Sequence, residues 1–116
     1  MRLTAAYSDV LMQDSAVATA NGVSLLPMTD GDGALSYATL QITGITSATI
    51  TFEATIDGTN WVAIKFTNLT SSTAATTATA DGLYQSSLPV LGLAQVRARI
   101  STYATGTIII NGRVAG

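Results

Sequence analysis

The chain is 116 residues long, room for one domain, and its net charge of −2 gives no electrostatic reason to expect nucleic acid or an anionic membrane as partner. It has no Cys and no His, which excludes disulfides, thiolate nucleophiles and zinc–thiolate sites and removes the commonest general base and transition-metal ligand. Charged residues make up 10% of the chain, so Thr, Ser and Ala must cover its outside, while a hydrophobic content of 47% marks a sequence that folds.

The first 33 residues are irregular. Leu3–Tyr7 and Val23–Pro27 read as short strands. Asp9–Ala20 reads as an extended arm, a loop or one turn of helix, and the pattern does not decide among them. Tyr7-Ser8-Asp9 interrupts any apolar run after Met1-Arg2, and no window reaches the roughly 18 apolar residues of a membrane span. The expectation is a soluble protein made in a cytoplasm. Asp30-Gly31-Asp32-Gly33 opens like a calcium loop but lacks the third acidic ligand and the later Glu, so it reads as a turn.

From Leu35 onward the apolar period is two, the signature of half-buried strands. Ala38, Leu40 and Ile42 share a face, Gly44-Ile45-Thr46-Ser47 reads as a turn, and Ala48, Ile50, Phe52, Ala54 and Ile56 share the next. In Trp61–Phe66 the buried set is Val62, Ile64 and Phe66. If Ile56 faces Val62, then Phe52 faces Phe66, and the only Glu of the chain, Glu53, meets its only Lys, Lys65, across the strands. That register implies a three-residue connection, Gly58-Thr59-Asn60. Thr70–Ala80, all Thr, Ser and Ala, carries no core anchor and reads as a long surface loop or arm. Leu83–Val90 is a further strand, ended or edged by Pro89. A second hairpin closes the chain, with Ala94, Val96, Ala98 and Ile100 before a turn near Tyr103-Ala104-Thr105-Gly106 and Ile108, Ile110, Gly112 and Val114 after it. About seven to nine short strands give one all-β domain spanning 1–116, an antiparallel β-sandwich or jelly roll: residues 1–33 form an extended N-terminal arm and irregular part, and 34–116 the core.

Candidate sites are few. Trp61 lies on the outer face beside the loop, placed for stacking on a sugar or a partner, or for closing the end of the sandwich. Thr55-Ile56-Asp57-Gly58-Thr59-Asn60-Trp61 is similar to the Asp-box of sialidases, but its Asp-to-Trp spacing is one residue short and hairpin-turn chemistry accounts for it. Arg97, Arg99 and Arg113 fall on the outer face with Ile109, either a solvated sheet face or, as the Ile among the Arg residues favours, a protein–protein contact. Catalysis is not expected. The single Glu is committed to a cation, the Asp residues sit mostly in turns, and no His can activate the many Ser and Thr. No cofactor and no metal is expected.

The run Phe52-Glu53-Ala54-Thr55-Ile56-Asp57-Gly58-Thr59-Asn60-Trp61-Val62-Ala63-Ile64 resembles a segment of small structural proteins of tailed bacteriophages. Leu91-Gly92-Leu93, Arg97-Ala98-Arg99 and Thr105-Gly106-Thr107 extend the resemblance over Leu35–Gly116. It implies a β-sandwich on a virion: a capsid decoration (cement) protein, a head-fibre base or a tail component. It also implies a homotrimer whose partner is the major capsid protein or another virion protein, clasped through extended arms. The alternative is a carbohydrate-binding tail or fibre module using Trp61.

Overall fold

The computed structural model describes residues 7–27, 37–90 and 92–115. The turn expected at Asp30-Gly31-Asp32-Gly33, and all but Tyr7 of the strand expected at Leu3–Tyr7, lie outside them.

Period-two sequence becomes strand. In chain order these are β1 (Tyr7–Ala16), β2 (Tyr37–Thr55), β3 (Val62–Ala63), β4 (Phe66–Asn68), β5 (Ala74–Ala75), β6 (Thr77–Ala78), β7 (Gly82–Ser86) and β8 (Gln95–Ala115). The all-β, antiparallel class expected from the sequence is the class observed. Among the described residues all eight strands join one continuous sheet, in place of two separate sheets, with the order β1-β8-β2-β7-β4-β5. Along one edge β2 pairs with β8. Along the other it pairs in turn with β7 at Thr39–Ile42, β6 at Ile50–Thr51 and β3 at Glu53–Ala54.

Both segments read as turns, Gly44–Ser47 and Tyr103–Gly106, lie inside strands. β2 and β8 run past them and pair from Tyr37↔Ala115 to Thr55↔Gln95. A flat strand the length of β2 would measure about 60 Å. The molecule's longest dimension is 45 Å, so the ribbon must bend. It does so where the register slips, between Thr43 and Ala48. Gly44 (φ +87°) and Gly106 (φ +127°) face each other there. A Cβ on Gly44 would land on the Thr107 carbonyl oxygen, and one on Gly106 would press on the Gly44 carbonyl. Only glycine lets the two backbones come this close. Asp81, just before β7, caps the crease by accepting from Gly44 N (3.2 Å) and Ile45 N (2.8 Å).

Creasing the ribbon turns the inner faces of its two halves onto one core. Leu40, Ile42, Ile108 and Ile110 from one half join Ile50, Phe52, Val96 and Ile100 from the other, all buried. Each such side chain contributes about 1.5–3 kcal/mol by leaving water. The Phe52 ring stacks on Phe66 at 4.4 Å and lies 5.6 Å from Tyr84, which pairs with Leu40 in the other half.

Within the expected arm and irregular part, the described residues 7–27 pack on the sheet, and Asp9–Ala16 is strand rather than arm, loop or helical turn. β1 pairs with the last part of β8, and Met12, Gln13 and Leu25 are buried. The Gln13 side chain donates to Ala20 O and Ala98 O, both at 3.1 Å, while Ala20 and Leu25 bridge to Ile100 and Val96. Val23–Pro27 does not form a strand: Leu25 bridges to Val96, and Val23 N donates to Met12 O at 2.8 Å. Thr70–Ala80 is not a bare loop either. It supplies β5 and β6, and Ala78 is buried against the core.

The hairpin register differs from the expected one by two residues: Glu53 pairs with Ala63 and Ala54 with Val62. The cause is the connection, which runs from Ile56 to Trp61 and is built on Asp57. Asp57 Oδ1 accepts from Thr59 N and Asn60 N, both at 2.8 Å, and from Thr55 Oγ1 (3.0 Å), while Oδ2 accepts from Asn60 Nδ2 (2.7 Å). Gly58 N donates to Thr55 Oγ1, and Gly58, not Asn60, takes the positive φ (+79°). An even slip keeps side chains on their faces. Phe52, Ala54 and Phe66 stay buried as expected, but Ile56 and Val62 are left 75% and 66% exposed.

Candidate functional site

The outer face of the half-sheet formed by Ala48–Thr55 and Gln95–Ile100 carries a cluster of ion pairs. β2 presents Glu53 outward opposite Arg97 on β8, with Arg99 two residues on. Arg97 Nε donates to Glu53 Oε1 at 2.8 Å. Arg99 donates Nε to Oε1 and Nη2 to Oε2, both at 3.0 Å. This two-pronged geometry suits a guanidinium and a carboxylate. The Arg97 guanidinium also lies over Trp61, its carbon 3.8 Å from the ring centroid, and so holds the loop 56–61 against β8. The Glu53 side chain is only 11% exposed, against 15% for Arg97 and 33% for Arg99. The hydrogen bond from Arg99, followed by that from Arg97, holds the Glu53 carboxyl below its ordinary range despite the opposing effect of burial.

The expected contact residues therefore separate into two groups. Trp61, Arg97 and Arg99 come together. Ile109 and Arg113 lie beyond the crease on the other half of β8, where Arg113 borders a groove with Thr39, Gln41 and Asn111. Lys65 is exposed and is not Glu53's partner. Sequence reasoning missed Glu53 as the centre of the cluster. A lone Glu and an Arg-x-Arg strand of matching outward parity were the available signal, but using it required knowing that β2 pairs with β8.

The chain matches no protein-family model, and it matches no curated protein by sequence. Its structure is similar to that of the SPBc2 prophage-derived protein YomS, with a TM-score of 0.77 at 20% identity, covering 95% of this chain and 93% of YomS. The two folds agree along their length. The PBSX exported protein XepA is similar as well, with a TM-score of 0.80 at 13% identity over 94% of this chain. This chain spans only 38% of XepA, so XepA carries the fold as one part of a longer protein.

Asp57 and Asp81 have local structural tasks. Asp57 is fully exposed and holds its own loop, and the backbone N–H groups of Asn60 and Thr59 keep its carboxyl well below the usual range. Asp81 caps the crease. Among the described residues no three His, Cys, Asp or Glu side chains come together as metal ligands, and no helix is long and apolar enough to cross a membrane.

Beside the Asp57 loop the surface is apolar. Ile56, Val62 and Leu88 are 75%, 66% and 76% exposed. They rim two adjoining hollows that share Ile64 and Leu93. Contiguous exposed apolar surface of this kind marks contact sites on proteins.

Proposed function

We propose that this chain is a structural component of a phage particle, a capsid decoration protein that assembles as a homo-oligomer on the head and stabilises it. One observation carries the reading: the fold agrees over nearly the whole of both chains with a prophage-derived protein, YomS. The composition supports it. A surface of Thr, Ser and Ala with few charges loses little on desolvation when it is covered by neighbouring subunits.

The protein works by contact and not by catalysis. Glu53 is neutralised between two arginines, and Asp57 and Asp81 are occupied by backbone N–H groups. Residues 7–27 are packed on the sheet, so this stretch offers a partner folded surface. Its partners are copies of itself and the major capsid protein, and its location is the virion. Carbohydrate attachment is less well supported, because Arg97 covers one face of the Trp61 ring.

The test uses particles of the parent phage grown without this chain. Purified protein added back is expected to co-sediment with them to saturation and to raise their resistance to heat. Protein that stays in the supernatant at all concentrations overturns the decoration role.

A further inference from the structure

The two apolar hollows beside β3 are asymmetric in an informative way. The first is lined by Ile56, Val62 and Asn60 and has Asp57 on its border. The second is lined by Leu88, Pro89 and Val90 and has Lys65 on its border. Ile64 and Leu93 form the ridge between them, lining both. The patch is thus mainly apolar, with one acid, Asp57, lining the first hollow and one base, Lys65, lining the second. Lys65 is the chain's only lysine, and no ion pair of it is found among the described residues.

The hydrogen bonds of the acid and of the Lys65 backbone here are met within the chain. Asp57 is satisfied by Thr59, Asn60 and Thr55, and the Lys65 carbonyl accepts from Ser87 N at 3.0 Å. Among the described residues no buried side-chain polar atom lacks a hydrogen bond. An occupant need supply only apolar surface and a pair of charges in reversed order. That description fits the patch itself. A two-fold contact places each surface against its own copy with the ends exchanged.

We infer that this patch is where the chain binds a second copy of itself, with a two-fold axis at the Ile64–Leu93 ridge. Leu88 of each copy seats in the Ile56–Val62 hollow of the other, and Lys65 of each copy meets Asp57 of the other at the rim. The inference rests on the proposed role as an assembling component and names the surface that role uses. Exposed apolar side chains are covered, and the rim charges set the register more than the strength.

The experiment is sedimentation velocity on the full chain at concentrations up to about 100 µM, a range that resolves contacts of micromolar affinity. Wild type is expected to be a dimer. Leu88→Asp, at a site already exposed in the single chain and so neutral for folding, is expected to be monomeric with an unchanged circular dichroism spectrum. Lys65→Glu sets two acids together at each rim and is expected to weaken the dimer about tenfold at low salt, a loss that shrinks in high salt. Wild type that stays monomeric, or a Leu88→Asp variant that associates as wild type does, overturns the inference. A monomer that still saturates phage particles would sink the two-fold contact and leave the decoration role standing. A dimer that never binds particles would do the reverse.

Discussion

Gly44-Ile45-Thr46-Ser47 and Gly58-Thr59-Asn60 carry much the same turn chemistry in sequence, and each is capped by an aspartate. The first creases two continuous strands; the second reverses the chain. What separates them is where the cap comes from. Asp81 reaches Gly44 and Ile45 from 37 and 36 residues away and so ties β7 to the bend of β2. Asp57 serves Thr59 and Asn60 two and three residues on, and the loop is complete in itself. Damage at the crease should be felt throughout the fold, and damage in the loop should stay local.

The sharpest way to break this contrast is Gly44→Ala. A methyl there meets the Thr107 carbonyl in addition to the cost of a positive φ, so the loss should exceed about 3 kcal/mol in urea unfolding. Next comes Glu53→Ala, which leaves Arg97 and Arg99 facing each other and loosens the hold on Trp61. A loss of about 2 kcal/mol, with a shift in Trp fluorescence, is expected for a half-screened pair of this kind. Asp81→Ala removes two charge-assisted caps from an exposed site and should cost about 1 kcal/mol while broadening the unfolding transition. Gly58→Ala is the mild counterpart of the first substitution. Its nearest neighbour, Gln95 Nε2, is 3.5 Å from the added methyl, leaving only the positive φ at about 1 kcal/mol. If the two alanine variants were equally mild, the crease as described would be wrong.

Acid gives the smallest effect. The folded-state pKa of Glu53 lies below its ordinary 4.5, so its contribution is complete above pH 4.5 and is lost as pH falls through the lower folded value. Urea midpoints should hold steady on acidification to about pH 4.5, fall below it, and level off once the lower folded value is passed. The drop should be smaller in Glu53→Gln, and a drop of equal size in the variant would remove Glu53 as its source.

Alternation alone located the core. Ala38, Leu40, Ile50, Phe52, Val96, Ile100 and Ile110 are buried as their parity required, and the Phe52–Phe66 contact survives because the register error was even. Parity is a local property, so it can be read from one strand at a time. The crease could not be read that way: a Gly followed by Thr and Ser signals a turn equally well whether the chain reverses or bends, and the deciding contact, Gly44 against Thr107, is distant in sequence. The cluster suffered from the same limit. Lys65 was the nearest opposite charge along the chain, but Glu53's partners lie 44 and 46 residues away. β1 was hidden for another reason. Its bulges after Leu11 and Gln13 break the period-two pattern that would have marked it.

The claim that matters most is that this folded surface belongs to a phage particle. Quantitative peptide mass spectrometry of purified virions measures it directly. The account predicts peptides of this chain in a fixed ratio to the major capsid protein, preparation after preparation. Virions that lack the chain, while it accumulates free in the lysate, would contradict it.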